Sequence, residues 1–190
     1  IGIFAELYSR FVLKMQIIGK KWYKNKFVLK MSICGLMLGI IYSFLPSSFY
    51  NLDQLQKIIA EQNTNIGIAF LAVLVLFITT GLAAASGAPG GLFYPMLTLG
   101  GAIGLIMGNW VEFATGHAPS TYIFAGMGAF VAGCSRTPIT AMFLAFALTK
   151  DLLIMKPVLI CCITSFLIAR IFNDKSIYER QIQIEIENNK

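Results

Sequence analysis

Long apolar runs alternate with short polar ones along the chain, and several of the apolar runs are long enough for helices that cross a bilayer. No Asp, Glu, Lys or Arg lies between Glu61 and Glu112. A crossing needs only about 20 apolar residues to span the roughly 30 Å hydrocarbon layer, so this stretch alone predicts two crossings. The pattern as a whole predicts apolar helices over residues 1–19, 31–45, 66–85, 92–111 and 152–169.

Polar segments separate these runs. Residues 47–64 predict a short surface helix with a loop, and residues 112–121 predict a polar loop. Trp110 and Tyr122 bracket the second loop, as aromatic residues do at membrane interfaces. Residues 170–190 are rich in charged and amide side chains and predict a polar tail after the last span.

Two interruptions fall inside apolar sequence. Residues 86–91 read Ser-Gly-Ala-Pro-Gly-Gly, which is too short for a water-exposed loop and too rich in Gly and Pro for a helix interior. Arg136 and Pro138 split the run 122–149 into two pieces, each shorter than a crossing needs. Broken helices line the substrate site in transporters built from inverted repeats. We therefore expect an all-α polytopic membrane protein with broken and re-entrant helices.

The composition supports a membrane protein over a soluble one. Charged residues are 13% and apolar residues 57% of the chain, against about 25% and about 45–50% in soluble domains. The net charge of +6 is concentrated in a lysine cluster rather than spread as on a nucleic-acid-binding surface. By the positive-inside rule this cluster is typical of a cytoplasmic loop, which also places the C-terminal tail in the cytoplasm. The cluster comprises Lys14, Lys20, Lys21, Lys24, Lys26 and Lys30.

Few residues offer catalytic chemistry. The four Cys have no metal-binding or redox spacing, and His117 lies alone in a polar loop. No nucleophile triad or phosphate-binding glycine loop is present, so we expect no enzyme, cofactor or metal. Glu6 is a candidate proton relay because a carboxylate within a membrane span is a functional candidate by default. Arg136 is predicted to neutralise the C-terminus of the half-helix before it.

The stretch Gly90 to Pro95 meets the needs of an anion site. A bare anion in hydrocarbon costs tens of kcal/mol by idealised Born solvation, so fixed donors must replace its water. A helix N-terminus supplies unpaired N–H groups and a partial positive charge. Gly90 and Gly91 allow the backbone to turn close to a ligand, Pro95 fits a first helical turn, and the exposed amides are those of Leu92 and Phe93. The alternative is that these residues only kink a membrane helix.

Residues 86–95, Ser-Gly-Ala-Pro-Gly-Gly-Leu-Phe-Tyr-Pro, resemble the third anion-selectivity segment of the CLC chloride channels and exchangers. The core pattern of that segment, Gly-x-Phe-x-Pro, is matched here by Gly91, Leu92, Phe93, Tyr94 and Pro95. Further similarities follow in order and span almost the whole chain. Residues 2–4 are similar to the helix start before the second repeat, residues 125–129 and 136–140 to the dimer-interface helices, and residues 175–178 to the segment with the anion-coordinating tyrosine.

The resemblance implies that residues 1–190 are the C-terminal half of a CLC transmembrane domain. Residues 1–25 would be a helix with a basic cytoplasmic loop, residues 26–170 the second inverted repeat with the last span, and residues 171–190 a cytoplasmic tail. It implies a homodimer in a bacterial-type plasma membrane, in contact with lipid, that is either a voltage-gated chloride channel or a chloride/proton exchanger.

The same resemblance assigns an anion site. The amides of Leu92 and Phe93 and the hydroxyl of Tyr178 would bind chloride; a phenol is uncharged at pH 7 because its ordinary pKa is about 10. By this resemblance, the gating and proton-transfer glutamates of the family belong to the N-terminal half, which we expect to lie outside this chain. Channel and exchanger, and the preferred anion, therefore both stay open.

Some positions depart from the family pattern. Tyr94 is bulkier than usual, Ala147 stands where many members have Glu, and Ser176 replaces a common Pro, which predicts a less constrained turn before Tyr178. A non-transporting membrane scaffold or inactive half-transporter is the alternative function. A cation-coupled transporter would need an acidic residue near the glycine-rich break, and none lies between Glu61 and Glu112.

Overall fold

The computed structural model describes residues 1–22, 27–45, 49, 66–87, 91–115 and 120–188. Within these ranges the protein is helical, with no strand, which agrees with the expected all-α class. The helices are α1 Gly2–Trp22, α2 Phe27–Ser43, α3 Ile66–Ser86, α4 Phe93–Thr115, α5 Ser120–Ser135, α6 Pro138–Thr149, α7 Met155–Phe172 and α8 Ile177–Asn188.

The second predicted break is confirmed. Helix α5 ends at Ser135 and α6 begins at Pro138, whose fixed φ and missing N–H suit the first position of a helix. Between them, Arg136 adopts a left-handed φ of 63°. The result is two short apolar helices in place of one span, as the sequence predicts.

Some predicted segments differ from the structure, and others lie outside the described residues. Helix α4 continues to Thr115 and α5 starts at Ser120, so the polar loop predicted over 112–121 is shorter than expected. His117, Lys24 and Lys26 lie outside the described residues, as does nearly all of the segment 47–64.

Helix α5 lies at the centre of the fold, where it packs against α1, α4, α6 and α7. Its contact with α4 depends on glycine, because a Cβ on Gly100 would lie only 2.5 Å from the carbonyl oxygen of Gly126. Gly104 likewise lies against the carbonyl of Tyr122. Glycine at these positions of α4 therefore allows the two helix backbones to approach closely.

Large apolar side chains also cover the outside of the molecule. Ile66–Ser86 and the stretch Met155–Ile186, which includes α7, each contain 18 residues apolar enough to cross a membrane, with mean hydropathies of 2.5 and 1.8. Leu36, Phe70 and Ile160 expose more than half of their surface. An apolar exterior of this kind suits contact with lipid or with further protein.

The segment after α7 is more ordered than the polar tail that the sequence predicts. It folds into α8, which packs against α1 and α5 and buries Ile177 completely. Ser176 caps this helix: its Oγ accepts the Glu179 N–H at 3.2 Å, and a Glu179 carboxylate oxygen accepts the Ser176 N–H at 2.7 Å. This reciprocal capping box constrains the turn before Tyr178 through hydrogen bonds. That the turn is less constrained than one with proline stays a prediction.

Candidate functional site

A cavity of about 460 Å³ lies where the end of α3, the start of α4, α8 and the second half of α1 meet. Its walls combine apolar, neutral polar and charged groups. Among the described residues the lining consists of Gln16, Lys20, Thr80, Ala83, Ala84, Gly87, Gly91, Leu92, Pro95, Tyr178, Gln181, Ile182 and Glu185.

The start of α4 forms one wall of this cavity. The helix begins at Phe93, with Pro95 in its first turn, and the Leu92 carbonyl accepts the Met96 N–H at 3.1 Å. The first N–H groups of a helix have no intrahelical acceptor. Within the described part of the chain, no backbone acceptor bonds the N–H of Leu92 or Phe93. The amide donors expected from the sequence thus belong to a helix start beside a cavity.

The glycine-rich break before α4 is only partly described, since residues 88–90 are outside the described ranges. Gly87 adopts a left-handed φ of 76°, which glycine tolerates best. At Gly91, by contrast, a Cβ would meet no atom within 4 Å among those compared. Packing against the described residues therefore does not require glycine at position 91, which lines the cavity.

Tyr178, in α8, contributes to the same cavity. Together with Gln181, Ile182 and Glu185 it lines the cavity, and these four positions follow the i, i+3, i+4, i+7 spacing of a single helical face. The side chain of Tyr178 is 39% exposed. Leu92 and Tyr178, which the sequence singles out through two separate motifs, are thus brought to one cavity.

Two other residues of the selectivity segment are placed differently. The side chains of Phe93 and Tyr94 are exposed, and their rings meet edge to face with centroids 6.4 Å apart. Neither residue is among those that line the cavity. Their contact with an anion stays a prediction for the complete protein.

Sequence reasoning missed two charged residues of the cavity. Lys20 in α1 and Glu185 in α8 both line it, and so does Gln16. Gln16 and Lys20 lie four positions apart, a spacing that places two side chains on the same face of a helix. That spacing could have indicated a polar face of α1 at Gln16 and Lys20, but no local pattern in the sequence links α1 to α8.

A buried ion cluster lies on the opposite side of α8. The carboxylate of Glu6, 3% exposed, accepts hydrogen bonds from three arginines. Arg10 donates at 3.0 Å, Arg136 at 2.8 Å, and Arg180 through two bonds of 3.0 and 3.1 Å. Glu6 and Arg10 lie four positions apart and so share one face of α1. Through these bonds Glu6 joins α1 to α8 and to the break between α5 and α6.

Arg136 also binds a helix C-terminus, but not the one that the sequence predicts. Its Nη2 donates to the carbonyls of Ala169 and Asn173 at 3.1 and 2.9 Å, at the end of α7. The expectation that it neutralises the end of α5 is wrong in this respect. The left-handed backbone at Arg136 ends α5, and the side chain reaches across to Glu6 and α7.

The fold has close counterparts among solved structures. A slow cyanobacterial Cl⁻/H⁺ antiporter superposes with a TM-score of 0.85 at 23% identity, over 98% of this chain and 44% of the antiporter. A eukaryotic CLC transporter superposes with a TM-score of 0.78 at 20% identity, over 97% of this chain and 33% of the transporter. At these identities the likeness concerns the fold alone.

Sequence comparison identifies relatives of greater similarity. The H⁺/Cl⁻ exchange transporter ClcA of Klebsiella pneumoniae is 30% identical over 96% of this chain and 40% of its own length. ClcA of Vibrio parahaemolyticus is 27% identical over the whole chain and 42% of its own length. The chain thus spans about two fifths of the length of these relatives. The family model described as voltage-gated chloride channel matches residues 1–170, and the chain therefore belongs to this family, the CLC family.

Proposed function

We propose that this chain is part of a membrane protein that transports chloride or a similar anion, as a channel or as a chloride/proton exchanger. The anion is held by the main-chain amides of Leu92 and Phe93 and by the hydroxyl of Tyr178. The observation that carries the proposal is the shared cavity: the start of α4 at Leu92 and the Tyr178 face of α8 line the same space.

The chemistry of these donors suits transport. Peptide N–H groups at a helix start and a neutral phenol offer hydrogen bonds and partial charge without a full cation that would retain the ion. Conduction requires binding that is favourable enough to admit an ion and weak enough to release it. A cavity of about 460 Å³ leaves room for an anion that keeps part of its water.

The names of the relatives support the same class of substrate. Both ClcA proteins are called H⁺/Cl⁻ exchange transporters. Because this chain covers about two fifths of their length, the complete protein would include a further part that contributes its own groups to the pathway. We propose that it is a multi-pass homodimer in a bacterial-type plasma membrane with α8 on the cytoplasmic side.

Replacement of Tyr178 by Phe in the full-length protein tests the assignment. Bromide binding to the purified protein, followed by calorimetry, is expected to weaken at least about tenfold, since a hydrogen bond to a charged group contributes about 1.5–3 kcal/mol. Chloride flux from liposomes should change in the same variant. Tyr122→Phe is the matched control, because Tyr122 is also 39% exposed but does not line the cavity.

Equal bromide affinity in the parent and Tyr178→Phe would count against the tyrosine as a ligand. The absence of both anion binding and flux in the parent protein would favour the alternative of a non-transporting scaffold. In that case the glycine-rich break would serve helix packing only.

A further inference from the structure

Helix α8 presents two different faces to the rest of the protein. Tyr178, Gln181, Ile182 and Glu185 face the cavity. Arg180 lies two residues after Tyr178, a rotation of about 200° around the helix axis, so it points to nearly the opposite side. There it meets Glu6 of α1. The rotation of α8 that brings Arg180 to Glu6 is the same one that brings Tyr178 to the cavity.

The contact between Arg180 and Glu6 restricts that rotation. Nη1 and Nη2 of Arg180 bond the two carboxylate oxygens separately, at 3.0 and 3.1 Å. Such a bidentate pair fixes direction as well as distance, because both planar groups must stay aligned. The two side chains are 11% and 3% exposed, so water competes little for these bonds.

Glu6 is itself held from two further sides. Arg136, between α5 and α6, donates to its Oε2 at 2.8 Å and also to carbonyls at the end of α7. Arg10, one turn along α1, donates to Oε1 at 3.0 Å. The carboxylate therefore has a fixed position relative to α1, α5 and α7. Ile177, fully buried and three residues before Arg180, lies on the same side of α8.

We propose that Glu6 is a positioning residue for Tyr178: through Arg180 it sets the rotation of α8 and so aims the phenol at the anion cavity. The part of this inference that concerns anion affinity rests on the proposed function. The part that concerns the anchoring of α8 does not, and can be measured separately.

Arg180→Gln in the full-length protein removes the ion pair between α8 and Glu6, while Glu6 keeps two arginine partners. Hydrogen–deuterium exchange of peptides covering residues 177–188 is expected to speed up. Bromide affinity is expected to fall at least about tenfold, to the level of Tyr178→Phe, because the same hydrogen bond is lost. The double variant Arg180→Gln/Tyr178→Phe should bind bromide no more weakly than either single variant.

Arg10→Gln is the matched control. It makes the same chemical change beside the same carboxylate, but Arg10 lies in α1 and is 55% exposed, so α8 keeps its anchor. Exchange of α8 and bromide affinity should both stay at the parent values. If Arg180→Gln does not fold, Arg180→Lys keeps the charge without the planar fork, and it should show intermediate exchange and affinity.

Parent-like exchange of α8 in Arg180→Gln, or in Arg180→Lys where that variant stands in, would overturn the proposal. So would a double variant whose loss of affinity equals the sum of the single losses, because the two residues would then act independently. If Tyr178→Phe alone leaves bromide binding unchanged, Tyr178 is not an anion ligand, and the hydrogen exchange of α8 still decides whether Glu6 anchors that helix.

Discussion

Glu6 Oε2 and Arg136 Nη2 lie 2.8 Å apart in an ion pair whose side chains are 3% and 7% exposed. The two residues are 130 positions apart in the chain, and the pair joins α1 to the break between α5 and α6. A buried ion pair of this kind adds little net stability over apolar packing, but the removal of one partner leaves a buried charge without compensation. The energetic effect of the ion pair is therefore measured by replacing only one of its two residues.

Glu6→Gln keeps the shape of the side chain and removes its charge. Arg136 and Arg180, which are 7% and 11% exposed, then lose their counter-charge. We expect the free energy of unfolding to fall by about 3–5 kcal/mol, measured by equilibrium unfolding of the full protein in mixed micelles with increasing dodecyl sulfate.

Asp174→Asn is the control for that prediction. Asp174 pairs with Arg170 at 2.8 Å, but the two side chains are 78% and 58% exposed, so the loss should stay below about 1 kcal/mol. Equal losses of unfolding free energy in Glu6→Gln and Asp174→Asn would contradict the view that burial of the Glu6 cluster causes the larger effect.

The contact between α4 and α5 gives a second prediction. Gly100→Ala places a methyl group 2.5 Å from the Gly126 carbonyl oxygen, so the helices must separate. We expect a destabilisation of about 1–3 kcal/mol, as for overpacking of a tight core, in the same unfolding assay.

Gly39→Ala in α2 is the matched control for the glycine pair. A Cβ at Gly39 meets nothing within 4 Å among the atoms compared, and alanine favours a helix over glycine by about 0.8–1 kcal/mol. This variant should be as stable as the parent or more so. Destabilisation by Gly39→Ala to the same extent as by Gly100→Ala would show that close packing is not the cause.

The charges of the cavity give a third prediction. Lys20 and Glu185 both line it, and a unit charge about 10 Å away changes an anion's free energy by about 0.4 kcal/mol in water and by more where water is excluded. We expect Lys20→Gln to weaken bromide binding about two- to fivefold and Glu185→Gln to strengthen it by a similar factor.

Salt dependence checks the electrostatic origin of these changes. Both effects should shrink when an inert salt of a large anion is raised, because the Debye length falls from about 10 Å at 0.1 M to about 3 Å at 1 M. Changes of the same sign in the two variants would contradict a charge effect and point to altered cavity shape.

Much of the local structure follows from short-range patterns. Pro138 starts a helix because its fixed φ and missing N–H suit the first turn, and Thr79 and Thr80 bond back to the carbonyl of Leu76 at 3.4 and 2.6 Å, as expected for hydroxyls in an apolar helix. The capping box at Ser176 and Glu179 is also a local signal. The prediction for Ser176 considered only the absence of proline and not this pair. These features depend on residues within one or two turns of each other.

The sequence by itself determined that the chain is a set of apolar helices with two breaks and belongs to the CLC family, because hydrophobic runs, proline positions and ordered motifs are properties of neighbouring residues. It also identified Leu92 and Tyr178 as separate candidates. Only the tertiary structure decided that they line one cavity, that Arg136 binds the end of α7 rather than α5, and that Glu6 and Arg180, 174 positions apart, face each other. Such pairings depend on how helices pack, and no periodicity along the chain records them.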